Sequence, residues 1–156
     1  MAKEIEKKFL LNNAQWRDSI QQSRQFIQGY LVGSKKASIR VRLEGEKAFI
    51  NIKSATLAIT RDEYEYEIPL SEAKEMLDKL CEKPLINKIR HDVVYADKKW
   101  EIDEFQEENA GLIVAEIELS TIDENFEMPD WVGQEVSDDT RYYNVCLVKQ
   151  PYSSWD

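Results

Sequence analysis

The sequence predicts an α+β fold built on one large, mostly antiparallel sheet or barrel. Three observations predict it. Seven segments alternate charged and apolar residues at the period of a strand, three others carry helical spacing, and the order lacks the strict strand–helix alternation of a parallel βαβ fold. A length of 156 residues suits one domain, and neither a repeat nor a linker-like stretch divides it, so residues 1–156 are read as one domain.

The elements follow in order. Glu4 to Leu10 is the first strand, with Glu4, Glu6 and Lys8 on one face and Ile5 and Phe9 on the other. Asn13 to Arg24 reads as a weak helix, Trp16 and Ile20 lying one turn apart, and Phe26 to Val32 adds a strand. In the strand Ala37 to Leu43, Arg40 and Arg42 oppose Ile39, Val41 and Leu43. Gly45 turns the chain into the strand Lys47 to Ser54, where Lys53 lies opposite Ile50 and Ile52. Arg61 to Ile68 sets Arg61, Glu63, Glu65 and Glu67 against Tyr64, Tyr66 and Ile68. Ser71 then stands where it can cap a helix whose Ala73, Met76, Leu77, Leu80 and Cys81 form one apolar stripe, and Pro84 stops it. The strand Leu85 to Tyr95 opposes Lys88, Arg90 and Asp92 to Ile89 and Val93. Ala96-Asp97-Lys98 turns it into Lys99 to Phe105, where Glu101 and Asp103 oppose Trp100 and Ile102. Leu112 to Ser120 sets Glu116 and Glu118 against Ala115, Ile117 and Leu119. Pro129, Trp131 and Gly133 read as loop punctuation, and a third helix begins near Ser137 with Tyr142, Val145, Cys146 and Lys149.

Composition narrows the partners. The net charge of −9 and a pI near 4.8 disfavour nucleic acid and anionic lipid. Cys81 and Cys146 have no metal-ligand or disulfide-framework spacing, the start lacks the apolar run of a signal peptide, and no apolar run approaches the ~20 residues that span a bilayer. A cytoplasmic, reduced protein is expected. His91, the one histidine, falls on the apolar phase of its strand and reads as a packing residue. No glycine-rich phosphate loop is present, which excludes a P-loop or Rossmann enzyme.

The charged faces carry the functional signal. A solvated face usually mixes signs, yet Arg40/Arg42 and Glu116/Glu118 are each of one sign. If the sheet closes with these faces inward, its lumen gathers guanidinium and ammonium groups beside carboxylates. Dry burial of such charges costs several kcal/mol per ion, so the lumen calls for water, metal or a polyanion. Forked cations complement phosphate, and convergent carboxylates complement Mg²⁺ or Mn²⁺. Together they describe a metal–polyphosphate site.

The same residues resemble the CYTH, or triphosphate tunnel metalloenzyme, family. Glu4-Ile5-Glu6-Lys7-Lys8 resembles its ExExK signature, Arg40-Val41-Arg42 its paired-arginine strand, and Lys53 its lysine strand. Arg61 to Glu65, Lys88/Arg90, Trp100 to Phe105, Glu116-Ile117-Glu118 and Arg141-Tyr142-Tyr143-Asn144 continue the match in order across the chain. The resemblance implies a closed eight-stranded antiparallel β-barrel, a triphosphate tunnel, with helices packed on the outside. It implies metal-dependent hydrolysis of a small polyanionic triphosphate, inorganic triphosphate favoured as in the small bacterial members, by a monomer or homodimer. Adenylate cyclisation, thiamine or nucleoside triphosphate hydrolysis, and non-catalytic polyphosphate binding are the alternatives.

On this reading Arg40, Arg42, Lys53, Lys88 and Arg90 hold phosphoryl oxygens, while Glu4, Glu6, Glu116 and Glu118 bind the divalent metal. Lys8 contacts a terminal phosphate or the leaving group, Asp103 positions the metal or its surroundings, and Arg141 reaches the tunnel mouth. Glu63 and Glu65 pair with the basic residues and fix their rotamers.

Overall fold

A computed structural model describes residues 3–155. Its nine strands are β1 (Lys3–Leu11), β2 (Ile20–Gly33), β3 (Ala37–Glu44), β4 (Lys47–Ser54), β5 (Thr60–Ile68), β6 (Ile86–Tyr95), β7 (Lys98–Phe105), β8 (Ile113–Glu118) and β9 (Val132–Glu135). They lie in the order β5-β4-β3-β2-β6-β7-β8-β1-β9, and β5 also pairs β1, which closes eight of them into an antiparallel barrel. β1 makes the closure: Lys3 to Ile5 pair β5, Glu6 to Phe9 pair β8, and its last residues pair β9.

Closure gives the two faces of each strand different surroundings. The charged faces turn toward the lumen, with Glu67 at an exposed strand end, and the apolar faces turn outward, most of them covered, although Tyr64 and Tyr66 of β5 stay exposed. Helix α1 (Leu70–Lys79) lays Ala73 and Leu77 on Val41 and Ala48. A second cluster joins Phe9, Trp100, Ile102 and Ile117 under Trp16 and Trp131, with Phe126 set edge-on to Phe9 and Trp100. Helix α2 (Asn144–Lys149) behaves differently. Its Leu147 and Val148 pack on Ile86, Phe105 and Val114, which share the strand phase of Lys88, Asp103 and Glu116. The helix therefore plugs one end of the lumen, whereas α1 packs outside.

Turns follow their chemistry. Ala96 and Asp97 both adopt left-handed φ (49° and 63°), the pattern of a two-residue type I′ hairpin, and Gly45 does so at 61°. Gly133 serves a close approach: a Cβ there would meet Asn12 Oδ1 at 2.8 Å and the Leu10 carbonyl at 3.1 Å, so glycine lets β9 lie against β1 without displacing Asn12.

Five sequence expectations need correction. Asn13 to Arg24 is not a helix: only Gln15–Ser19 form a 3-10 turn, and Ile20 already begins β2. Ser71 does not cap α1, because the helix starts at Leu70 with Pro69 as N-cap and no capping side chain. Leu80 ends α1 and is 64% exposed, outside the buried stripe. The helix expected from Ser137 is a 3-10 turn (Thr140–Tyr142) followed by α2, and the segment around Gly133 is β9 rather than loop. Among the described residues no helix is long and apolar enough to cross a membrane.

Candidate active site

The plugged lumen encloses a cavity of about 190 Å³ whose wall holds equal numbers of cationic and acidic side chains. β3, β4 and β6 supply most of the cations by alternation. Arg42 donates to Glu65 at 3.2 Å and to Asn51, and also pairs with Glu44. Lys53 lies between Glu4 (3.1 Å) and Glu63 (3.0 Å). Lys88 is buried and donates to Asp103 at 2.8 Å and Asn144 at 3.1 Å. Arg90 grips Asp103 through two nitrogens (2.7 and 2.8 Å) and reaches Glu101 and Glu116. Arg40 donates to Asn51 and lies within hydrogen-bond reach of Tyr30, and among the described residues it forms no carboxylate ion pair, which suits it to an incoming anion.

β1 and β8 supply half of the carboxylates. The register sets Glu6 opposite Glu118 and Lys8 opposite Glu116, while β7 sets Glu101 opposite Glu116. Like charges directly across a ladder repel. Lys8 relieves part of this by donating to Glu116 at 3.0 Å and Glu6 at 3.2 Å. The charge then divides unevenly. Burial and the neighbouring Glu116 push Glu6 up to about 8. Burial also pushes Glu116 upward, but Lys8, Arg90 and Lys88 overcome it and hold Glu116 well below the usual carboxylate range. Partial burial and Glu4, Glu101 and Glu63 raise Glu118. Burial drives Lys88 down to about 8, against the pull of Asp103 and with the push of Arg90.

Among the described residues no three His, Cys, Asp or Glu side chains form a ready-made metal cage. Lysine ammoniums account for this, since Lys8 bridges Glu6 and Glu116 and Lys53 bridges Glu4 and Glu63. The donor set nonetheless suits a hard divalent cation. It is all carboxylate oxygen, and the register brings Glu6 and Glu118 face to face.

The residues singled out from sequence divide clearly. Glu4, Glu6, Lys8, Arg40, Arg42, Lys53, Glu63, Glu65, Lys88, Arg90, Glu116 and Glu118 all line this one cavity. Asp103 lies behind it, fully buried, its oxygens taken by Arg90 and Lys88. Arg141 is not in it. Arg141 is exposed, bound to Asp139 at 2.7 Å and stacked 4.8 Å from the Trp155 ring. His91 is buried outside the lumen, between Ser23 (2.7 Å) and Glu104 (3.0 Å), and touches Trp16. Tyr30, which the sequence places with Arg141 as a candidate for the tunnel mouth, lines the cavity, and so do Arg24, Phe26, Asn51 and Asn144, to which the sequence gives no site role. Asn51 was findable, since it shares the strand phase of Lys53; Arg24 was hidden by the helical reading of its segment.

A closed antiparallel barrel with matched phosphate-type and metal-type ligands inside defines a class of polyphosphate-binding chamber. The chain belongs to the CYTH domain family, whose model matches residues 2–146. It is 45% identical over 155 residues to an inorganic triphosphatase of Acetivibrio thermocellus, covering 99% of both chains. It is 32% identical over 148 residues to an inorganic triphosphatase of Nitrosomonas europaea, covering 92% of this chain and 95% of the other. The crystal structure of the inorganic triphosphatase NE1496 superposes with a TM-score of 0.69 at 31% identity, over 95% of each chain.

Proposed function

We propose that this chain is a divalent-metal-dependent triphosphatase, with inorganic triphosphate as its favoured substrate and Mg²⁺ or Mn²⁺ as its metal. One observation carries the reading: a small chamber, plugged at one end, gathers forked cations and convergent carboxylates around a single space. A cavity of about 190 Å³ falls below the ~300–1,000 Å³ typical of sites for drug-sized ligands, which favours a bare phosphate chain over a nucleoside or thiamine conjugate. The similarity to inorganic triphosphatases supports the same substrate.

In this mechanism Arg40, Arg42, Lys53, Lys88 and Arg90 bind the phosphoryl oxygens and offset charge that spreads over them in a loose transition state. Asp103 contacts no substrate; it fixes Arg90 and Lys88 in place. Glu63 and Glu65 do the same for Lys53 and Arg42. Lys8 moves from its two glutamates to the phosphate chain. Glu4, Glu6, Glu116 and Glu118 would hold the metal, which when bound supplies phosphate charge neutralisation and a more acidic water. Cyclase chemistry would need an adenine pocket, and Arg141, stacked outside, takes no part. The protein acts as one tunnel domain over residues 1–156, monomeric or dimeric, and its free thiols suit a reduced cytoplasm.

The test is product analysis with inorganic triphosphate and ATP, each with Mg²⁺, Mn²⁺ or EDTA. Fast metal-dependent phosphate release from inorganic triphosphate is expected. Cyclic AMP with pyrophosphate would reassign the chain to cyclisation, and binding without turnover would leave a polyphosphate-binding module.

A further inference from the structure

Among the described residues Phe26 is the one phenylalanine that lines the cavity, and four cations surround its ring. Arg90 lies 4.9 Å from the ring centroid, Arg42 5.3 Å, Arg24 5.4 Å and Lys88 5.8 Å. Sheet register produces this. Phe26 stands across from Lys88 on β6 and from Glu44 on β3, so Arg90 and Arg42 are its diagonal neighbours and Arg24 its same-face neighbour on β2. Each distance is within the ~6 Å over which a ring face attracts a cation. The ring is 2% exposed, in a wall otherwise dominated by charge.

We propose that Phe26 is a positioning residue for phosphate binding, an aromatic pedestal whose π face holds Arg24, Arg42, Lys88 and Arg90 together without consuming their hydrogen-bond donors. An aliphatic side chain would fill the space but remove the one ring that all four cations share: Arg42 would keep Phe49 at 4.9 Å and Lys88 would keep Phe105 at 5.5 Å, while Arg24 and Arg90 would have only carboxylates to offset the repulsion. Carboxylates occupy N–H donors and compete with phosphate for them, whereas the ring does neither. Two donors remain unspent beside it: Arg24 Nε and Arg42 Nε are buried without a hydrogen-bond partner. The pedestal thus keeps the cations charged, close and available when an anion displaces their glutamates. This inference rests on the reading of the chamber as a triphosphate site.

The test replaces Phe26 with mono-, di- and trifluorophenylalanine, which weaken the ring's negative face while nearly preserving its shape, and adds Phe26→Leu. Tripolyphosphate affinity is measured by calorimetry in EDTA, alongside thermal melting and steady-state kinetics with metal. Kd and KM should rise stepwise with fluorine number, to about tenfold for the trifluoro ring, with kcat and melting temperature little changed. A flat Kd across the fluorinated series would overturn the proposal and leave Phe26 a space-filler. Should the unsubstituted protein fail to bind tripolyphosphate, the functional reading fails. The pedestal is then judged by the Lys88 ammonium pKa from NMR. Lys88 is faced by Asp103, Glu116, Arg40, Arg90 and Asn144, all constant through the series. A fall in its pKa with each fluorine upholds the pedestal, and constancy overturns it.

Discussion

Glu6 and Glu118 face each other across the β1–β8 ladder, and this register gives the pair opposite effects on folding and function. Burial and the neighbouring Glu116 disfavour charge on Glu6 and so burden the metal-free barrel, while the same crowding of carboxylates suits a divalent cation. Glu6→Gln should therefore leave the metal-free melting temperature equal or slightly higher, yet lower metal-dependent turnover on the order of 100-fold or more. Melting curves and steady-state rates on one preparation check both halves, and unchanged turnover would remove Glu6 from the metal set. Lys88 makes a pH prediction. Burial, with the push of Arg90, lowers its ammonium to about 8, so it is charged below that pH and neutral above it. Binding a polyanion favours the charged form and takes up a proton. Tripolyphosphate affinity in EDTA should thus be fullest below about pH 8 and weaken as pH rises through it. Lys88→Arg, which stays charged, should remove that part of the slope in a titration series.

Among the elements, the two helices carry different duties. Leu147 on α2 is fully buried against Phe105 and Val114, plugging the lumen. Leu147→Ala should cost about 2–5 kcal/mol in urea unfolding, a large part of a small domain's stability. Arg141, one turn before α2, is bound to Asp139 and Trp155 instead of the chamber. Arg141→Ala should keep kcat and KM within about twofold and leave the melting temperature nearly unchanged, as expected of an exposed pair. A large loss of turnover would show that this residue reaches the substrate after all. β2 shows why an element can be misread. Ile20 to Gln25 is rich in glutamine and poor in β-branched residues, so its local preference is helical. Pairing with β3 and β6 overrides that preference and places Arg24 and Phe26 in the chamber wall.

For the whole molecule, closure concentrates like charges, and ligand should relieve them. Tripolyphosphate with Mg²⁺ at 100 times its Kd should add about 2.7 kcal/mol of stability, a rise of roughly 5–10 °C in melting temperature for a chain of this size. Differential scanning fluorimetry measures it. An equal rise with metal chelated would favour a binding module over an enzyme.

The sequence by itself determined the faces. Strict alternation set Glu4, Glu6 and Lys8 opposite Ile5 and Phe9, and Arg40 and Arg42 opposite Val41, because successive strand residues must point to opposite sides. Tertiary structure decided which face is inside. Only the β1–β5 pairing closes the barrel and makes the charged side the lumen. It also decided residues whose place depends on distant partners: Phe26 at the meeting of β3 and β6, Asn144 on the plug, and Arg141 drawn out to Trp155. Those positions follow from register and packing between segments far apart in the chain, which a local period of two or 3.6 residues does not encode.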